Sequence, residues 1–127
     1  MEEKLTAIAY KVAAYEGKRD SQSLQQLAKK YMLDSINYIS KEGYFEAAAN
    51  EKALGFDIFA SNPQYKQLQE SSREVLVCEL TRNLFTGAVI RYLGVKHTRT
   101  KQVISIGFNL EAMKKINEMT MEQVEAM

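Results

Sequence analysis

The sequence holds one cysteine, Cys78, one histidine, His97, and one proline, Pro63, among 127 residues. A single cysteine excludes an internal disulfide, and with a single histidine there is no soft-ligand set for zinc, copper or an iron–sulfur cluster. These absences point to a reducing, intracellular setting, so the cytoplasm is the expected location. Neither charge dominates: 17 basic and 16 acidic side chains leave a formal +1, which excludes a surface basic enough overall to trap nucleic acid or anionic lipid. The amino terminus, MEEKLTAIAY, opens on two acids and resembles neither a secretory signal nor a transit peptide. The longest apolar-rich run, residues 75–95, is interrupted by Glu79, Arg82, Asn83 and Arg91, each costly at hydrocarbon depth, so no membrane span is expected. Phosphate-binding loops, dinucleotide glycine fingerprints and HExxH pairs are missing as well, and no cofactor is expected.

What remains is a 46% hydrophobic chain of a size that buries roughly two-thirds of its unfolded surface in one domain, residues 1–127. Alanine, leucine, lysine, glutamate and glutamine dominate it, which favours helices, and the expected fold class is all-α. Residues 2–16 place Leu5, Ile8, Val12 and Tyr15 on one helical face, with Gly17 as C-cap. Ser23 and Gln26 fit a capping box for a helix over residues 23–42, buried through Leu24, Leu27, Ala28, Tyr31 and Ile39. A third helix is expected over residues 44–60, and Asn62 with Pro63 restarts the next. Ser71 and Glu74 then open an almost wholly apolar segment, residues 72–93, containing Val75, Leu76, Leu80, Leu84, Phe85, Ala88 and Val89. An all-round apolar helix needs partners on several sides, so the predicted architecture is a compact bundle of five to six helices around it.

Residues 99–116, RTKQVISIGFNLEAMKKI, carry helix-turn-helix spacing: Val103 and Ile106 apolar, Gly107 at the turn, Phe108 as core plug, and Asn109 capping a second helix with Met113 and Ile116 inward. In that reading residues 98–119 bind DNA as a homodimer. Lys96, His97, Arg99 and Lys101 in the preceding basic stretch, and Lys114 and Lys115 on the second helix, are the candidate nucleic-acid contacts. Arg91 and His97 in RYLGVKH resemble the arginine-to-histidine spacing of helical, metal-independent ribonucleases of the HEPN class. That resemblance implies contact with the RNA phosphate and assistance to attack by the 2′-hydroxyl. Cys78 sits among Val75, Leu76, Val77 and Leu80 and reads as an inert buried thiol.

Two surface features point to a protein partner. The carboxy-terminal segment, residues 109–127, has an apolar stripe from which Met119 and Met121 diverge, and methionine suits adaptable surfaces. Six of the twelve aromatic residues lie within residues 38–65, and Tyr38, Tyr44 and Tyr65 are the candidate interface anchors. The leading expectation is therefore a small, non-catalytic helical protein that binds another protein as an adaptor, accessory subunit or inhibitor. A helix-turn-helix regulator is the alternative, and the ribonuclease comes third.

Overall fold

The computed structural model describes residues 1–83 and 85–127. Its centre is a sheet rather than a helix. The chain runs α1 (Glu2–Ala13), α2 (Ser21–Lys30), β1 (Ser35–Ile39), β2 (Phe45–Ala48), a short 3-10 turn (Glu51–Ala53), α3 (Ile58–Ser61), α4 (Gln64–Glu70), β3 (Val75–Arg82), β4 (Val89–Lys96), β5 (Val103–Asn109), α5 (Leu110–Glu118) and α6 (Met121–Glu125). The strands pair antiparallel in the order β2-β1-β5-β4-β3.

The all-α expectation is thus overturned, and the segment meant to be its central helix is a hairpin. Residues 75–96 are rich in β-branched side chains, among them Val75, Val77, Val89, Ile90 and Val95, which fit a pleated surface better than a helix. Asn83 reverses the chain: its Oδ1 accepts the amides of Phe85 at 2.7 Å and Thr86 at 3.1 Å, and Gly87 takes a φ of +75°. Leu84, assigned by sequence to the bundle centre, lies outside the described residues.

The proposed helix-turn-helix is likewise replaced. Residues 103–109 form a strand bonded on both sides, with Leu93↔Ile106 and Gly94↔Ser105 toward β4 and Tyr38↔Ile104 and Asn37↔Ser105 toward β1. Gly107 is an extended strand residue opposite Tyr92, not a turn. Asn109 does cap the following helix, accepting the Ala112 amide at 2.8 Å, but what precedes it is the strand. The expected helix over residues 23–42 stops at Lys30, and Met32, at a φ of +59°, turns the chain into β1. Its N-cap is Asp20, which accepts the Ser23 amide, rather than a Ser23–Gln26 box. The expected helix over residues 44–60 is β2, the 3-10 turn and α3.

Period-two alternation sorts the sheet into two faces. One carries Ile36, Tyr38, Leu93, Val95, Ile104, Ile106 and Phe108, which join Leu5, Ile8, Ala9 and Val12 of α1 and Leu24 and Leu27 of α2 in the larger core. The Tyr38 hydroxyl donates to the Val12 carbonyl at 2.9 Å, tying strand to helix. Lys11 caps the far end of that layer, its Nζ donating to the carbonyls of Val124, Glu125 and Met127.

The opposite face packs Ile39, Phe45, Ala48, Leu76 and Val103 against Ala53, Tyr65 and Leu68. Gly94 lets α4 approach, because a Cβ there would lie 2.8 Å from Tyr65 Cε1 and 3.1 Å from Leu68 Cδ2. Gly94→Ala is expected to cost about 1–3 kcal/mol through overpacking, read as a lowered urea midpoint with unchanged slope.

Candidate functional site

The second face is not filled. On β1 and β5 the residues between the apolar ones are Ser35, Asn37, Ser105 and Gly107, and across from them the 3-10 turn offers Ala53. Small and polar side chains at these positions leave a cavity of about 270 Å³, bounded by the sheet, the segment from Asn50 to Tyr65, and the β3–β4 turn. Protein interiors are otherwise close-packed, and the volume lies near the small end of ligand pockets.

Its floor is hydrogen-bonded. Asn37 Nδ2 donates to Ser35 Oγ at 3.2 Å, and the buried Tyr65 hydroxyl pairs with Ser105 Oγ at 2.9 Å. The Cys78 thiol stands 3.9 Å from the Tyr65 oxygen. Tyr92 is laid across Gly107, where a Cβ would come within 3.0 Å of its ring. Burial pushes the Tyr92 phenol up to about 12, with the neighbouring Asp34 charge adding to the effect. Burial also raises Tyr65 well above the ordinary phenol range and raises Cys78, so these three groups are neutral at physiological pH.

An aromatic wall closes one side. Phe45 and Phe56 have ring centroids 5.6 Å apart, and Phe56 meets Phe85 edge-on at 5.7 Å and 84°. The exposed Arg82 stands at the rim, its Nη1 donating to the Gly87 carbonyl at 2.9 Å.

Asp34 is the exception in this lining. Its amide donates to the Gly107 carbonyl at 2.8 Å, fixing it at the entry to β1. Its Oδ2 is buried and has no hydrogen-bond partner among the described residues. Burial raises the carboxyl above the ordinary aspartate value.

The residues singled out from sequence lie mostly elsewhere. Lys96 is buried and donates through Nζ to the Ser71 carbonyl at the end of α4. His97 organises the β4–β5 turn, its Nδ1 accepting the amides of Arg99 and Thr100 at 3.1 and 3.0 Å. Arg99 and Lys101 are exposed on that turn, and Lys114 and Lys115 are exposed on α5, where Lys115 pairs with Glu111 at 3.5 Å. Tyr38 and Tyr65 are buried, Tyr44 is exposed, and Met119 and Met121 are half-buried. Only Tyr65 of these lines the cavity. Arg91 donates from β4 to the Cys78 carbonyl, so Arg91 and His97 belong to a strand and a turn, not to the helical arrangement of the HEPN ribonucleases. Among the described residues no three His, Cys, Asp or Glu side chains cluster as metal ligands, and no helix is long and apolar enough to cross a membrane.

The sequence matches no protein-family profile and no curated protein. Solved structures match its fold. The extracellular domain of a histidine kinase superposes with a TM-score of 0.61 at 12% identity, over 77% of this chain and 43% of that one. An extracellular ligand-binding receptor from Desulfohalobium retbaense gives 0.60 at 16% identity, over 91% and 23%. The ligand-binding domain of the Pseudomonas aeruginosa amino acid chemoreceptor PctC, in complex with GABA, gives 0.52 at 18% identity, over 92% and 60%. The chain thus spans less than two thirds of each of these proteins. These likenesses are of fold, and the adaptor, DNA-binding and ribonuclease readings fall with the helical bundle they required.

Proposed function

We propose that this chain is a small-molecule-binding domain of a sensory type, without catalytic activity, whose ligand occupies the cavity between the sheet and residues 50–65. The observation that carries the reading is a partly open cavity of about 270 Å³ lined by Asp34, Asn37, Tyr92 and Ser105 beside an aromatic wall. Ligand pockets combine apolar walls with a few placed polar groups that fix orientation, and this lining has both. Likeness to sensory domains supports the same reading through the fold.

The test is a thermal-shift screen of small polar metabolites. A ligand at about a hundred times its Kd is expected to stabilise the fold by about 2.7 kcal/mol, or about 10 °C for a chain of this length. Ser105→Leu, which fills the cavity, should lose the response. Ser105→Ala, which loses the same hydrogen bond to Tyr65 but leaves the space open, should keep it. Equal responses from both variants would place binding outside the cavity.

A further inference from the structure

Resting on the cavity reading, we infer that the ligand is a small, flat, uncharged compound with an amide edge, an aromatic carboxamide or a lactam, read by Asn37 and Ser105. Asn37 leads to this. It lines the cavity, is only 5% exposed, and spends its Nδ2 on Ser35. Its Oδ1 has no donor among the described residues, and it is not sealed in the way that Asp34 Oδ2 is, so the area left to Asn37 in the cavity wall includes this oxygen. An acceptor kept open there calls for a ligand N–H.

Ser105 is the cross-strand partner of Asn37, which on one face of an antiparallel pair sets the two side chains about 5 Å apart. The Ser105 and Tyr65 hydroxyls share one hydrogen bond. That bond uses one of their two protons and leaves the other as a donor. Acceptor and donor side by side match an amide, whose N–H and C=O are neighbours. The lining has one acid, Asp34, and one cation, Arg82, so it carries no net charge, and a charged ligand would lose its hydration without a matching surplus. Phe45 and Phe56 supply an apolar wall for a ring. A cavity of about 150 Å³ holds benzene, and the 270 Å³ here admits a ring with one small substituent.

Four probes of nearly one shape separate these requirements by calorimetric titration: benzamide, acetophenone, which lacks the N–H, benzoate and benzamidine. Benzamide is expected to bind most tightly, with each of the others at least about tenfold weaker. Asn37→Leu should bring benzamide down to the acetophenone level and leave acetophenone as in wild type. Asn37→Asp, of the same size but acidic, should reverse the order and favour benzamidine. Acetophenone equal to benzamide, a charged probe tighter than benzamide, or silence from all four at millimolar concentration overturns the amide assignment. Benzamide binding that Ser105→Leu leaves unchanged overturns the cavity reading with it.

Discussion

Phe108→Ala is expected to lower stability by about 3–5 kcal/mol, which for a chain of this length is a fall in melting temperature of roughly 10–20 °C. Phe108 is fully buried on the face of β5 that belongs to the larger core, and truncation leaves a void that a sheet held on both sides cannot close. A loss of that size is a large share of the 5–15 kcal/mol that holds a typical domain together. Lys114→Glu with Lys115→Glu, on the exposed face of α5, should stay within about 0.5 kcal/mol per site. Chemical denaturation of the two variants beside wild type checks the contrast, and a Phe108→Ala loss below about 1 kcal/mol would be incompatible with this packing.

Asp34→Asn is expected to stabilise the unliganded protein at neutral pH. Because burial holds the folded-state pKa above the unfolded one, the folded chain retains the Asp34 proton more tightly. That contribution is fully present below the ordinary aspartate value of about 3.9 and is lost as pH rises through the raised folded value. Above it, wild type carries a half-buried charge with an unpartnered oxygen, and the isosteric amide carries no charge there. The gain should be about 1 kcal/mol, the low end for an unsatisfied buried polar group, since the side chain is partly open to solvent. Asp20, held below its ordinary value by its bonds to Ser23, acts in the opposite sense. The difference between wild type and Asp34→Asn is therefore the quantity to follow: it should vanish toward acid and grow toward neutral pH. A constant difference would show that Asp34 does not titrate as its burial requires.

Two local features were legible in the sequence. The first helix follows from Leu5, Ile8 and Val12, and the Asn109 cap from its side-chain chemistry, because both signals act within one turn of chain. The sheet was not legible. The strands over residues 75–82 and 89–96 are close enough in sequence to read as one apolar run, which periodicity alone cannot separate from a buried helix. The β-branched residues, with Asn83 and Gly87 between two such groups, were the overlooked sign of a hairpin. In β5, Ile104, Ile106 and Phe108 alternate with Val103, Ser105 and Gly107, a period of two that was absorbed into a helix-turn-helix spacing. The cavity followed from the same alternation, since Ser35, Asn37 and Ser105 are the polar partners of the core residues. Asp34 could not be singled out, because its missing partner is a property of the assembled sheet and not of its neighbours in sequence.

The central claim is that the cavity is the ligand site, and amide-resolved NMR titration with a stabilising small molecule tests it most directly. Shifts concentrated at Asp34, Asn37, Tyr65, Tyr92 and Ser105, saturating together and absent in Ser105→Leu, are the predicted result. Saturable shifts confined to the turn at residues 97–102 and to α5, with the cavity residues unmoved, would contradict it.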